Sequence, residues 1–444
     1  MLALRERTKI RLARSAFVAL GLLPLVAVAT ATAALHSDAY RRWHQESARQ
    51  VLGVAATIEH VRHPRPALTL YEGVQVYDAE TGRLLLRARL VEIDRRGATP
   101  LLRCTLPEVS ARAASRLSEV VVAQLRRQPR AEQHAWRWVA NELTVHFAEQ
   151  SQTLTDLVGE LTATARQSTL TARFHLAGAT TGQPARLEIV RDRQTVPPSH
   201  LVALDTGGHD VPGLLLSTLA DWPAWLGQRC QFRGRVKAVE TPAGWDAHVA
   251  GRLDEADLEQ LVSGHFPQRL TGRARVDVQE ARVSRGRLEQ ARGTLWAGPG
   301  TIGRALVEAA ARSLALPRGE PPDMGDLWTY DELALVFHMT DGELRLSGTC
   351  RDAAGVVLMA AGQPLLSEPT APQSVAGLIR TLAPGNEWLV PASRESDWLL
   401  GVLPTPRLAE RDDSSPHTAR PNVHVRFGRA LSSPEDAPDG TWRR

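Results

Sequence analysis

The sequence predicts an α+β protein in which antiparallel β-structure predominates. Three observations support this prediction: an uncharged apolar run near the N-terminus, many segments that alternate apolar and polar residues, and glycine-containing bends between those segments. Because a lone two-stranded hairpin is barely stable in water, successive hairpins must pair into a longer sheet. We therefore expect an N-terminal transmembrane helix, a sheet of successive hairpins and a few amphipathic helices.

The composition narrows the classes of function. The chain has 444 residues, of which 43% are hydrophobic, and this is enough for two or three domains with buried cores. The formal net charge is +4 and the basic residues are interleaved with acids, so no nucleic-acid partner is predicted.

Cys104, Cys230 and Cys350 are isolated and form no C-x-x-C pair. They leave room for one long-range disulfide and predict no cysteine-based metal site.

The N-terminus predicts a membrane anchor. Residues 1–14 are rich in arginine and lysine and are predicted as a cytoplasmic basic segment. The run that follows, AFVALGLLPLVAVATATAAL, carries no charge, and about 20 such residues span roughly 30 Å of hydrocarbon. Residues 15–35 are therefore predicted as a transmembrane helix, with the rest of the chain outside the cytoplasm. A cleaved signal peptide is the alternative, since ATATA offers small residues to a peptidase.

Past the anchor, the sequence predicts a helix and then a hairpin. Residues 36–59 have helical periodicity, and YEGVQVYDAETGRLLLRARLVEID at 71–94 predicts a β-hairpin that bends at AETG. Gly82 supplies a positive φ at this bend, and we expect Asp78 and Glu80 to be solvated at its tip. The next predicted elements are a helix and three strands: residues 111–130, 136–147, 169–176 and 185–190.

An internal repeat marks a second domain. FRGRVKAVETPAGWDAHVAGRL at 232–253 and LTGRARVDVQEARVSRGRLEQARGTL at 270–295 share a plan of Gly-Arg, an alternating strand, a glycine-containing bend and a second strand. A weaker copy is LALVFHMTDGELRLSGTC at 333–350, and an amphipathic helix is predicted before it at 302–316. The predicted domains beyond the anchor are an extracytoplasmic α+β domain, a hairpin-repeat domain and a disordered tail: residues 36–228, 229–403 and 404–444.

The residues predict no catalytic or metal-binding constellation. Asp205-Thr206-Gly207 follows an apolar strand as in aspartic proteases of the retroviral type, but no second copy exists, so a homodimer would be needed. An Asx turn that ends a strand is the favoured interpretation. His60 and His63 have a spacing that suits a metal on a helix, but the prolines that follow end any helix there. We therefore predict a protein without catalysis, cofactor or metal.

The order of these segments resembles the AsmA-like family of envelope proteins, which is related to the bridge-like lipid-transfer proteins. The resemblance rests on an anchor, a short helix and VLGVAATIEHVRHPRPALTLYEGVQVYDAETGRLLLRARLVEID at 51–94, followed by the Gly-Arg-led hairpins. It covers residues 13–94 and 229–350. The resemblance implies an elongated sheet curled into an open groove, apolar inside and polar outside, in a periplasmic body with a single-pass anchor in the inner membrane.

The same resemblance implies that the protein binds or transfers lipid, or assists outer-membrane and envelope assembly. Its expected partners are phospholipid acyl chains and envelope assembly proteins. The first four candidate groove-lining residues alternate with Arg235, Lys237, Arg275 and Asp277. The full set of candidates is Val236, Ala238, Val276, Val278, Leu335 and Phe337. The alternative is a closed core in which the helix at 302–316 covers these apolar faces. A structural scaffold of the envelope and a protease that uses Asp205 are the other functions left open.

Overall fold

A computed structural model describes residues 17–18, 23–126, 133–147, 150–178, 182–219, 226–320, 325–351 and 353–383. Antiparallel strands predominate among these residues, as the sequence predicts. The chain divides into two compact units: unit 1 comprises residues 1–219, 228–240 and 249–254, and unit 2 comprises residues 220–227, 241–248 and 255–444. The cytoplasmic segment predicted at 1–14 and the tail predicted at 404–444 lie outside the described residues.

The elements are as follows. The helices are α1 (Leu23–Leu35), α2 (Asp38–Leu52), α3 (Ala111–Arg126), α4 (Gly213–Leu219), α5 (Arg304–Ser313) and α6 (Val375–Leu382), with a π-helical turn at Glu259–Ser263. The first strands are β1 (Ala55–Thr57), β2 (His60–Arg65), β3 (Leu68–Tyr77), β4 (Leu84–Asp94), β5 (Leu101–Thr105), β6 (Glu108–Ser110), β7 (Gln133–His146), β8 (Ser151–Thr164), β9 (Gln167–Leu176), β10 (Ala185–Asp192), β11 (Ser199–Asp205) and β12 (Val211–Pro212). The later strands are β13 (Gln231–Thr241), β14 (Gly244–Asp257), β15 (Arg273–Ser284), β16 (Arg287–Ala297), β17 (Gly300–Gly303), β18 (Leu327–Tyr330), β19 (Glu332–Thr340), β20 (Glu343–Gly348), β21 (Val356–Ala360), β22 (Gln363–Ser367) and β23 (Gln373–Ser374).

Two helices, α1 and α2, lie at the start of unit 1. α1 covers part of the predicted span at 15–35, and among the described residues no helix combines the length and apolar character that a bilayer crossing requires. α2 begins where Ser37 caps its first turn and ends where Gly53 adopts a left-handed conformation with φ 74°. The helix predicted over 36–59 is therefore too long, because β1 follows Gly53 and pairs with β3.

β3 and β4 form the hairpin that the sequence predicts. The two strands are antiparallel, with Tyr71 opposite Val91. Gly82 has a φ of 66° at the bend, a conformation that glycine adopts without steric cost. β4 also pairs with β5 and β6, which run parallel to β7. The opening hairpin is thus part of a larger sheet within unit 1.

The position of Asp78 corrects a sequence prediction. This residue is only 8% exposed and is not solvated at the tip of the hairpin. Its carboxylate accepts hydrogen bonds from the Thr81 hydroxyl at 2.7 Å and from the Glu80 N–H at 3.3 Å, and lies 3.5 Å from Nε of Arg116 on α3. The Glu80 side chain is 79% exposed and pairs with Arg116 at 2.8 Å. Asp78 therefore organises the turn, because it satisfies the backbone and hydroxyl donors around it.

The main sheet of unit 1 follows the chain. β7, β8, β9, β10 and β11 pair with their neighbours in chain order, all antiparallel, and β11 also pairs with β13. α3 buries Ala113 in a cluster with Val54, Leu85 and Val109. The helix predicted over 111–130 is present up to residue 126, and its last predicted residues lie outside the described part of the chain.

Unit 2 contains two of the predicted hairpins. β15, β16, β19 and β20 pair in that order, all antiparallel, so both the second and the third copies of the repeat form hairpins. α5 occupies most of the predicted helix at 302–316 and buries Leu306 and Val307. It packs mainly against α6 and β17, and α6 begins at the capping side chain of Ser374.

The three cysteines are free thiols, so the disulfide that the sequence allowed is not formed. Cys230 and Cys350 are buried, and Cys104 is partly buried. Desolvation raises the pKa of each thiol to about 11. Thiols in this state pack as small apolar groups, since little of the reactive thiolate is present near neutral pH.

Candidate functional site

The six candidate lining residues are all partly exposed, and they fall into two groups. Val236 and Ala238 belong to unit 1. The other four belong to unit 2: Val276, Val278, Leu335 and Phe337. The two groups are therefore described separately.

In unit 1, apolar residues lie in register across neighbouring strands. Ala238 is opposite Val202, and Val236 is opposite Leu204. The alignment continues over β10, β9 and β8, and paired residues point to the same side of a sheet. We call this surface the unit 1 apolar face; its rows are Ala238, Val202, Ile189, Leu170 and Leu161, and Val236, Leu204, Leu187, Ala172 and Gly159. Leu170 and Gly159 are buried, and the other members are partly exposed.

An aromatic residue extends this face onto β7. Trp138 is opposite Gly159. A Cβ atom added to Gly159 would lie 1.9 Å from Cε2 of Trp138, so the indole occupies the space above the glycine. Trp136 is likewise opposite Leu161 at the end of the neighbouring row. Two tryptophans therefore close the β7 side of the unit 1 apolar face.

The opposite side of the same strands is charged. Lys237 and Arg235 are exposed there, between the two apolar residues of β13 and beyond them. Arg186 and Glu188 form an ion pair at 3.0 Å on β10, and Arg235 pairs with Asp205 at 2.8 Å. Because side chains alternate along each strand, the side opposite the unit 1 apolar face is rich in charged residues; it also carries the apolar row Val190, Leu201 and Val239.

Unit 2 contains its own aligned apolar surface. Val276 is opposite Leu295, which is opposite Leu335. The neighbouring row follows the same strands and extends to β20. We call this surface the unit 2 apolar face; its rows are Val276, Leu295 and Leu335, and Val278, Gly293, Phe337 and Leu346. A Cβ atom on Gly293 would lie 2.8 Å from Cζ of Phe337, so here too an aromatic ring lies over a glycine.

The described residues shield the unit 2 apolar face only in part. Ala297 and Met339, in the flanking rows, are buried, whereas the side chains of the two middle rows are partly exposed. The closed-core alternative requires the helix at 302–316 to cover this face. The main contacts of α5 are instead with α6 and β17. This helix therefore contributes chiefly to a core beside the face.

Asp205 forms the Asx turn that the sequence favours. Its Oδ1 accepts a hydrogen bond from the Gly207 N–H at 2.9 Å, and its Oδ2 pairs with Nε of Arg235 at 2.8 Å. An aspartic protease needs two carboxylates that share a proton. The Asp205 carboxylate instead has both oxygens occupied by a backbone donor and a guanidinium.

His60 and His63 lie on β2, not on a helix. His63 makes side-chain contacts with the Tyr40 hydroxyl at 2.7 Å and with the Thr69 hydroxyl at 3.3 Å. Within the described ranges, no group of three or more His, Cys, Asp or Glu side chains is arranged to hold a metal ion. The contacts of His63 are those of a structural residue.

A row of polar side chains continues the unit 1 apolar face, and the sequence did not lead us to predict it. We call Ser168, Arg191 and His200 the polar row. Arg191 lies two residues beyond Ile189 on β10, opposite Ser168 on β9 and His200 on β11. Nδ1 of His200 lies 2.5 Å from the Glu240 carboxylate, and Nε2 lies 2.8 Å from Nη1 of Arg191. A guanidinium only donates, so His200 accepts at Nε2 and donates from Nδ1. The signal in the sequence is LEIVR, where an arginine takes an alternating apolar position.

A small cavity lies on the charged side of the same strands. Its volume is about 260 Å³, and its lining includes Val190, Leu201 and Asp192. Pockets for small molecules usually measure about 300–1,000 Å³. The cavity is therefore a poor candidate for a small-molecule site.

Comparisons with known proteins identify no relative: no family model, no curated protein and no solved structure matches the chain. The geometry of its own residues is consequently the basis on which a function is inferred.

Proposed function

We propose that this chain is a membrane-anchored, AsmA-like periplasmic protein that binds or transfers lipid, or assists envelope assembly, without catalysis. The observation that supports this proposal most directly is the unit 1 apolar face. Its apolar side chains are aligned over β13, β11, β10, β9 and β8, and most of them are only partly shielded from water. Soluble proteins rarely leave large contiguous apolar patches in water unless the patch has a binding role.

The dimensions of the face suit an acyl chain. Five strands at a spacing of about 4.8 Å span roughly 19 Å across their common face. One leaflet of a bilayer has about half of the 30 Å hydrocarbon thickness, or roughly 15 Å. An acyl chain laid across the strands would therefore contact the face along its whole length. Each buried CH₂ group would contribute about 0.8 kcal/mol to binding.

The N-terminal sequence supports the anchored location within this proposal. The apolar run at 16–35 follows a basic segment, which is the charge distribution of an N-terminus held in the cytoplasm. A body held at the inner membrane on the periplasmic side has direct access to lipids. The unit 2 apolar face offers a second surface of the same chemical kind.

Site-specific photocrosslinking tests the proposal on adjacent residues. p-Benzoylphenylalanine is introduced at Ala238, on the unit 1 apolar face, or at Lys237, on the charged side of the same strand. The full-length protein is irradiated in native membranes and purified, and adducts are identified by mass spectrometry. We expect phospholipid adducts at position 238 and few at position 237, because only the first side chain points to the proposed acyl-chain surface.

The same experiment distinguishes the alternatives. Equal lipid labelling at both positions would indicate general membrane proximity and contradict the proposal. Protein adducts at position 238 with no lipid would favour the structural scaffold. A peptidase activity abolished by Asp205→Asn would restore the protease, although the contacts of Asp205 with Gly207 and Arg235 oppose it.

A further inference from the structure

The polar row at the end of the unit 1 apolar face contains hydrogen-bonding groups without partners. Nε of Arg191 is buried and has no hydrogen-bond partner in the described part of the chain. The same holds for the hydroxyl of Ser168, a residue with 0% exposure that lies opposite Arg191. A buried polar group without a partner destabilises the folded state, and more strongly when it is charged. An unpartnered guanidinium donor at this position therefore requires an explanation, such as a bound ligand that completes its hydrogen bonds.

The known contacts of Arg191 leave its guanidinium able to bind an anion. Nη1 donates to Nε2 of His200, which is in turn held by the Glu240 carboxylate. This chain of contacts fixes the plane of the guanidinium and uses one of its five N–H groups. Arginine recognises carboxylate and phosphate groups through paired N–H donors. His200 and Glu240 therefore orient Arg191, and the remaining donors stay available.

The surroundings of Arg191 carry an excess of positive charge. Arg193 donates from Nη1 to the Thr164 carbonyl at 2.8 Å and from Nη2 to the Leu125 carbonyl at 2.9 Å. Burial, and then the charge of Arg191, lower the pKa of Arg193. Arg126, next to Leu125, and Arg166 are exposed. The Glu240 carboxylate, which ends this chain of contacts, is engaged by His200.

The position of the polar row relative to the apolar rows defines the kind of ligand. Arg191 and Ile189 are separated by two residues on one strand, a distance of about 6.6–6.8 Å along β10. An anionic group on Arg191 would thus be one step from the row that contains Ile189, Val202 and Leu170. A free anion would contact only the polar row. An amphiphile would place its anionic headgroup on the polar row and its acyl chain on the adjacent apolar rows.

We propose that the polar row binds the anionic headgroup, a phosphate or a carboxylate, of an amphiphile whose acyl chain lies on the unit 1 apolar face. Arg191 is the residue that contacts the headgroup, and His200 and Glu240 are positioning residues. The inference rests on the proposed lipid-binding function and makes it more specific, because it names the class of lipid.

The test compares lipids with the same acyl chains and different headgroups. The full-length protein in dodecyl maltoside micelles is irradiated with diazirine-bearing phosphatidylglycerol or with diazirine-bearing diacylglycerol, which has the same acyl chains and no phosphate. We expect at least about tenfold more labelling by the anionic lipid, as charge-assisted hydrogen bonds to the partly exposed guanidinium of Arg191 imply. Arg191→Gln is expected to reduce this ratio to near one by lowering the labelling by phosphatidylglycerol. Arg186→Gln, on the charged side of the same strand, is the matched control and should keep the ratio.

The outcomes separate this inference from the function on which it rests. Labelling by both lipids without preference, or a preference that survives Arg191→Gln, overturns the headgroup site and leaves lipid binding intact. Absence of labelling by either lipid overturns both. Binding of inorganic phosphate that Arg191→Gln abolishes, together with lipid labelling that shows no Arg191-dependent preference, reassigns the site to a free anion and overturns the amphiphile.

Two further arms complete the design. Diazirine-bearing palmitate distinguishes a carboxylate from a phosphate headgroup. Arg191-dependent labelling by palmitate would indicate a carboxylate, and Arg191-dependent labelling by phosphatidylglycerol would indicate a phosphate. If Arg191→Gln does not fold, the inference is tested with Arg191→Lys and with a salt titration of the unmodified protein. The preference for the anionic lipid should fall as sodium chloride rises to about 0.5 M, since salt screens the attraction. A ratio independent of salt overturns the inference.

Discussion

The indole of Trp138 lies directly over Gly159 of the neighbouring strand, and a Cβ atom at Gly159 would come within 1.9 Å of the indole Cε2. The two residues are opposite each other in the β7–β8 register. Glycine in the interior of a strand usually weakens it, because it has no side chain to pack. Here the ring of the partner strand fills that position, so the glycine is required.

We predict that Gly159→Ala destabilises the protein, although alanine has the better intrinsic strand propensity. The added methyl group displaces the indole from its position on the sheet, and overpacking of this kind typically costs about 1–3 kcal/mol. The free energy of unfolding from urea denaturation, followed by tryptophan fluorescence, measures the effect.

Gly97→Ala is the control for this substitution. The nearest atom to a Cβ at Gly97 is the Thr99 carbonyl oxygen at 3.5 Å, an ordinary contact. This variant should change the free energy of unfolding by less than about 0.5 kcal/mol. Equal effects of the two substitutions would contradict the proposed role of the Trp138 ring.

The hydrogen bonds of Asp78 predict a dependence of stability on pH. The bond from the Thr81 hydroxyl, followed by the backbone bond from Glu80 and the charge of Arg116, outweighs desolvation and lowers the pKa of Asp78. The folded state therefore prefers the ionised carboxylate. Its stabilising contribution is complete above the unfolded pKa of about 3.9 and is lost as the pH falls through the lower folded value. Asp78→Asn should flatten the acid side of a plot of melting temperature against pH.

Glu80→Gln provides the comparison on the same turn. The Glu80 side chain is 79% exposed, and exposed ion pairs contribute little to stability. This variant should retain the acid-side slope of the unmodified protein. If it flattens the slope as much as Asp78→Asn does, the pH dependence belongs to Arg116 and its whole network.

Adjacent residues of β19 test the unit 2 apolar face. Leu335 lies on this face and Val336 points to the other side, and both are partly exposed. We predict that Leu335→Glu reduces the lipid that co-purifies with the full-length protein by several-fold, because a carboxylate on the face opposes acyl-chain contact. Val336→Glu should have little effect, and phosphorus analysis of the purified proteins gives the comparison. A loss of lipid in both variants would point to a general disturbance of β19.

The cysteines predict slow thiol chemistry in the folded state. Burial raises the pKa of Cys104, Cys230 and Cys350 to about 11, so little thiolate is present at pH 7. N-ethylmaleimide should therefore modify the native protein slowly and all three thiols quickly after unfolding. Mass spectrometry counts the adducts. Fewer than three adducts on the unfolded, unreduced chain would show that a disulfide exists.

The hairpins could be predicted from the sequence because their causes are local. Alternation at 74–76 and at 86–90, with a glycine that accepts a positive φ at Gly82 between them, predicts β3 and β4. The same holds for the copies of the repeat at 270–295 and 333–350. Gly53 is also a local signal, because glycine commonly terminates helices, and α2 ends at this residue.

The remaining features depend on residues that are distant in the chain. The burial of Asp78 follows from the approach of Arg116 on α3, which the sequence of the hairpin does not contain. The polar row depends on the registers of three strands, which place Ser168, Arg191 and His200 side by side. Sequence periodicity predicts the side of a strand on which a residue lies, and it does not predict which residue of the next strand is its neighbour.

Helix α3 is fixed at both of its ends by arginines. Near its start, Arg116 pairs with Glu80 at the hairpin bend, and at its last turn the Leu125 carbonyl accepts a hydrogen bond from Arg193 just beyond β10. Arg116 and Leu125 are nine residues apart, which is about 13.5 Å along the axis of a helix that resists stretching. α3 is therefore a brace that sets the distance between the hairpin bend and the end of β10. If the hairpin bend moves relative to the end of β10, either one of these two contacts must break or α3 must move as a whole.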